Sequence, residues 1–264
     1  MQIPMKNKMS SSLVNMLNKR HLFLISIQLA ILVGISVHTR TSLIWMWTIS
    51  SFIPPMVICI STNEKKYVLP SLLLLFVSQH AIFVFTQPAW GYSFGSDPIN
   101  DFHVAEVLSN ESHFTLGQVG YASRLSYSFY PLLHLFSITL NKISGVPLAV
   151  IAVYFVPLLN ASLVCFSLYF INYIIFGLKS RQRNLATLFY VTCWYYTFFQ
   201  AEFVRESFAF PFVLLSLWII NKAVKHSDRR YTILVPILLA AVILSHHISS
   251  YMPVSYTHLT LPTN

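Results

Sequence analysis

Long apolar runs, separated by short polar and mostly basic segments, govern this chain. The runs cover residues 22–38, 43–60, 67–86, 147–176, 184–200, 206–222 and 231–250. Each is close to the roughly 20 residues that one helical crossing of a bilayer needs. The pattern predicts an all-α, polytopic membrane protein with about seven transmembrane helices. Run 147–176 is long for one crossing and contains Pro157, which predicts a tilted or kinked span, or one that begins as an interfacial helix.

The longest polar stretch, 87–146, lies between the third and fourth runs. Within it, 103–109 reads as a short helix with Asp101 near its start. Segment 129–145 is apolar but short, and it carries Pro131, His134 and Lys142. It reads as a helix lying along the outer membrane surface. Were it a span, every later loop would invert.

Composition sharpens the class. Hydrophobic residues make up 55% of the 264 and charged residues 9%, against about 25% charged in soluble domains. So little charge cannot cover a water-facing surface, which excludes an ordinary soluble enzyme and a disordered tail. Cys59, Cys165 and Cys193 all lie in apolar runs, with neither zinc spacing nor a disulfide framework. Lys6, Lys8, Lys19 and Arg20 precede the first run as in a signal peptide. No small-residue cleavage site follows, so the first span is read as retained.

The net charge of +9 comes from clusters between apolar runs, the device that orients membrane proteins, and not from a nucleic-acid footprint. Nucleic acid is therefore excluded as a partner. With the N-terminus cytoplasmic, the inner segments hold Lys6, Lys8, Lys19, Arg20, Lys65, Lys66, Lys179, Arg181, Arg183, Lys222, Lys225, Arg229 and Arg230. The outer side holds Arg40, Arg124, Lys142 and Arg205. Acids reverse this bias: Asp97, Asp101, Glu106, Glu111, Glu202 and Glu206 fall outside, Glu64 and Asp228 inside. Acids contribute little to topology, so their concentration on one face points to a polar site there.

The final segment, VSYTHLTLPTN at 254–264, lacks the logic of a native terminus. Back-translation as GTC TCT TAT ACA CAT CTG ACG CTG CCG ACG reproduces a transposase-end library adaptor. It is read as adaptor read-through, so native sequence is expected to stop near Pro253 and the natural protein to be longer. Tyr256 and His258 then carry no function.

Four groups of residues could carry chemistry on the outer side. Asp101, four residues after Asp97 and two before His103, could accept a proton from an attacking hydroxyl. It equally suits a helix N-cap. Arg205 and Glu206 open the sixth run. Charge at that depth is costly and is usually paired or functional, and a guanidinium can hold a phosphate by two hydrogen bonds. Interfacial snorkelling is the competing role. His246 and His247 close the seventh run, about 100° apart on a helix, so the two cannot face one cavity equally. Tyr130, Pro131 and His134 fit either a site or an interfacial anchor. His80 reads as a satisfied interior histidine, and WYYTFF at 194–199 as an aromatic interface belt.

This order of features resembles the GT-C superfamily of polytopic glycosyltransferases, which includes dolichyl-phosphate-mannose-type protein mannosyltransferases. Its archaeal members are the most similar. A span leads to an outer loop with an Asp and a short helix. Then come YPLLHLFSITLNKISG, a long span, a basic turn, a span ending outside, an acid-bearing start to the next, and a span ending in histidines. The resemblance covers about residues 67–253. Residues 1–66 form a cytoplasmic start and an added hairpin, whereas in the family the acidic loop usually follows the first span. A strict DxD is absent, since the chain reads Asp101-Phe102-His103.

The resemblance implies transfer of a sugar from a polyprenyl-phosphate donor to a protein, lipid or glycan acceptor on the extracytoplasmic side. Asp101 matches the essential acid of the first large outer loop and is the expected general base. Glu206, or Glu202, matches the second acidic position. Arg205, Arg124, His103, His134, His246 and His247 are then candidates to bind the substrate or its phosphate. No cofactor is fixed; a divalent ion stays open, although the histidine pair alone supplies too few ligands for zinc. A transporter or flippase is the first rival, but it would place charge on broken helices at mid-membrane. A non-catalytic membrane subunit is the second.

Overall fold

A computed structural model describes residues 6–38, 44–86, 96–110, 130–226 and 229–260. Among the described residues the chain is all-helical, with no strand. The helices are α1 (Lys6–His38), α2 (Ile44–Ser61), α3 (Lys65–Thr86), α4 (Ser96–Asn110), α5 (Leu132–Ser144), α6 (Leu148–Ile174), α7 (Ser180–Val191), α8 (Trp194–Gln200), α9 (Arg205–His226), α10 (Arg229–Ser245) and α11 (His247–Thr260). Four windows among them are long and apolar enough to cross a membrane: Asn18–Ile35, Lys65–Phe83, Leu148–Ile174 and Arg205–Lys225.

Three of the expected spans take other forms. Helix α2 offers only the shorter apolar stretch Trp45–Ser61. Run 184–200 is broken at Thr192 and Cys193. There Cys193 N–H donates to the Tyr190 carbonyl at 3.0 Å and the Thr192 hydroxyl to the Phe189 carbonyl at 3.0 Å, closing a turn that halts α7. Run 231–250 stops at Ser245, and α11 starts anew. Helix α1 starts well before residue 22, and α11 runs on through Pro253 to Thr260.

The core lies where α3, α6 and α9 pack, with α1 and α2 laid against α3. Ile58, Leu72, Leu75, Phe76, Val164, Cys165 and Tyr169 are buried at its centre. The α1–α2 hairpin is docked by polar bonds as well. Ser71 donates its hydroxyl to Gln28 Oε1 at 2.7 Å, and Gln28 Nε2 donates to the Ser71 carbonyl at 3.0 Å. Buried polar groups need such partners.

Helix α6 is not uniform. It opens as one α-turn, widens to a π-helix over Ile151–Phe155, and returns to α at Val156. Pro157 accounts for the place. A proline has no N–H for the carbonyl four residues back and crowds it, and a π-turn relieves that crowding. The kink expected at Pro157 is thus expressed as a π-bulge one turn earlier.

Helix α5 has 13 residues, about 20 Å of rise, too short to cross a membrane. It buries Leu133, His134 and Ser137 on one face and leaves Ile143 79% exposed.

The two ends of the bundle differ in charge. At one end Lys65 lies over the Phe170 ring, Asn184 bonds the Thr62 carbonyl, and Lys225 bonds the Ile174 carbonyl. These contacts gather the basic ends of α3, α6, α7 and α9. At the other end Phe83 meets Phe198 and Ser207 bonds the Phe199 carbonyl. Asp101, His134, Glu202, Glu206 and His246 collect there.

Candidate active site

Helix α4 places Asp101. It starts at Ser96, earlier than the 103–109 expected, because Asp97 and Pro98 suit a first helical turn. Asp101 therefore lies inside the helix and does not cap its own start. Its side chain is 1% exposed.

Three elements meet on that carboxylate. His134 of α5 donates from Nε2 to Oδ1 at 3.0 Å. Arg205 Nε lies 3.0 Å from the same oxygen, an ion pair. Arg205 N–H donates to Oδ2 at 3.2 Å. Arg205 is the first residue of α9, so its N–H is one of the amides a helix start leaves open. Asp101 caps α9 from 104 residues away, where the helix dipole favours negative charge.

One residue on, Glu206 Oε1 takes a hydrogen bond from His246 Nε2 at 2.9 Å. His246 stands between α10 and α11. Its Nδ1 lies 3.0 Å from the Ser249 hydroxyl and accepts the Ser249 N–H at 3.4 Å, as an N-cap does. An Nδ1 that accepts a backbone N–H carries no proton, so the proton sits on Nε2, facing Glu206. This cap is also the local reason that run 231–250 breaks where it does.

Glu202 lies in the turn between α8 and α9, half-buried. Burial, with the charges of Asp97 and Glu206 added, pushes its carboxyl from the ordinary 4.5 up to about 7. A carboxylate tuned to that range exchanges protons at neutral pH.

The remaining candidates divide. His103 is exposed, 4.0 Å from Glu106, on the far side of α4 from the buried Asp101. Tyr130 is half-buried, and Pro131 precedes the first turn of α5. His80 is fully buried, with Nδ1 2.8 Å from the Phe76 carbonyl. Tyr195 and Tyr196 of the aromatic run are exposed. Arg124, Glu111 and the side chain of His247 lie outside the described residues.

Among the described residues no three His, Cys, Asp or Glu side chains are arranged to hold a metal ion. Asp101 already spends its oxygens on Arg205 and His134. No family model, no curated protein and no solved structure matches this chain.

Proposed function

We propose that this chain is a polytopic membrane glycosyltransferase of the GT-C type. It crosses the membrane about seven times, with the acidic end extracytoplasmic, and transfers a sugar from a polyprenyl-phosphate donor. The observation that carries the reading is the joining of Asp101, His134 and Arg205 beside Glu206–His246 and Glu202, all at the end opposite the basic loops. Helices α2 and α10 and the two-piece α7–α8 supply the crossings beyond the four longest.

The roles follow from exposure and charge. Departure of the lipid phosphate builds negative charge, which the guanidinium of Arg205 stabilises. Asp101, buried and with both oxygens engaged, holds Arg205 and His134 in place and acts as a positioning residue. The expected general base thereby moves from Asp101 to Glu202, whose raised pKa suits removal of a proton from an acceptor hydroxyl. Glu206, tied to His246, orients the same wall.

The test uses full-length protein in vesicles, supplied with a radiolabelled polyprenyl-phosphate sugar. Glu202→Gln is expected to lower kcat by about 10²- to 10⁴-fold and to abolish the rise of rate with pH through about 7. Asp101→Asn is expected to lower the rate while leaving that pH profile in place. An unchanged rate and profile in Glu202→Gln would remove the assignment of the base, and no transfer by wild type with any such donor would remove the function.

A further inference from the structure

At the basic end a cavity of about 430 Å³ lies between the end of α6 and the last turns of α9. That volume falls in the range of about 300–1,000 Å³ common to ligand sites. Tyr173, Ile174, Gly177, Lys222 and Lys225 line it.

The two lysines are three residues apart on α9 and so share a face. Lys225 donates to the Ile174 carbonyl at 3.2 Å, which fixes its ammonium on the wall. An ammonium has three donors, so this bond leaves capacity for a ligand. Lys222 is half-buried and has no hydrogen bond or ion pair among the described residues. Gly177 turns the chain at φ 62° beyond α6, and no side chain closes the cavity there.

A third cation stands behind the wall. Arg183 is only 4% exposed, with its guanidinium 4.3 Å from the Tyr169 ring centroid and 5.6 Å from that of Tyr173. Tyr173 therefore carries a buried cation on its ring and lines the cavity. Buried charges are ordinarily paired, yet among the described residues no carboxylate pairs with Arg183. Glu64, the described acid at this end, is taken by Lys66 at 2.9 Å. Asp228 belongs to this end in sequence but lies outside the described residues.

Orientation in the membrane accounts for basic loops, which need only be exposed. It does not account for a walled cavity with lysines at its rim and a buried arginine behind it. We propose that this cavity is an anion site for the phosphate of an anionic lipid headgroup. Helices α6 and α9 are both candidate spans that end here, so the cavity opens at the level of the headgroups, where basic pockets between transmembrane helices hold phosphorylated lipids. The proposal stands independently of the transferase reading.

Native mass spectrometry of the full-length protein in detergent tests it, by titration with phosphatidylglycerol or phosphatidylcholine of equal chain length. Wild type is expected to retain phosphatidylglycerol at least about 10-fold more tightly, and K222A/K225A to bind it roughly 30-fold more weakly. K222R/K225R should restore binding. K179A/R181A, which removes two exposed charges from the basic segment that follows Gly177, should leave it intact. Competition by inorganic phosphate at constant ionic strength separates the sources. Displacement of the lipid identifies free phosphate as a sufficient ligand of the same site, and no displacement identifies the lipid-borne diester. Absence of any phosphatidylglycerol preference in wild type, which needs no variant, would overturn the proposal. So would equal losses in K222A/K225A and K179A/R181A, which would reduce the effect to diffuse surface attraction.

Discussion

Glu202 shows how much a single side chain depends on neighbours distant in sequence. Its carboxyl is raised to about 7 by burial first, then by Asp97 and Glu206. Between the ordinary 4.5 and about 7 the folded protein therefore holds a proton that the unfolded chain has released. Stability from this group is full below 4.5 and is lost as pH rises through 7. Glu202→Gln removes the titration, so the variant's melting temperature relative to wild type should be higher at pH 8 than at pH 4, as read by thermal unfolding in detergent. An equal difference at both pH values would show that the carboxyl is not perturbed. None of this was legible from FQAEFVRE alone, because the causes include Asp97, more than a hundred positions away. Asp101 was legible as a residue of interest, from its place before a helix. Its partner was not, since no local pattern links Asp101 to the start of α9. His246 was legible only as one of a pair; the Ser249 cap that sets its tautomer separates it from His247.

The elements were more legible than their ends. Apolar runs located α3, α6 and α9, because length and hydropathy suffice for a helix in a bilayer. Breaks were missed where side chains, and not prolines, made them: the turn at Thr192–Cys193 and the His246 cap. Helix α1 and helix α2 illustrate what pattern cannot show at all. Gly34 faces Trp47, whose ring lies where a Cβ on residue 34 would stand. Gly34→Ala is expected to destabilise the hairpin by about 1–3 kcal/mol, the usual cost of overpacking. Adding Trp47→Ala should recover part of the loss, because the clash and its relief share one contact. A double-mutant cycle in detergent measures this, and strict additivity of the two changes would refute the packing account.

For the whole molecule, charge was the most informative feature of the sequence. The ends of α3, α7 and α9 that carry Lys65, Arg183 and Lys225 do meet, through Lys65, Asn184 and Lys225, and Asp101, Glu202 and Glu206 gather at the other end. Sidedness in a cell follows as a prediction. On a cysteine-free background, Ile143→Cys should react with an impermeant maleimide in sealed right-side-out vesicles. Ser180→Cys should react only after permeabilisation. Both residues are exposed in the fold, so the membrane alone decides the outcome, and the opposite pattern would reverse the orientation.

The cap that Asp101 places on α9 also sets a clock for synthesis. Residue 101 leaves the ribosome before residue 205, with 104 positions between them, a delay of about 5–20 s at roughly 5–20 residues per second. Throughout that interval Asp101 and His134 have no arginine to close on, and the acidic end cannot assemble. A chain halted before α9 (Arg205–His226) has been made would leave that end half-built, whereas one that has released the whole helix would hold the joint that ties α4, α5 and α9 together.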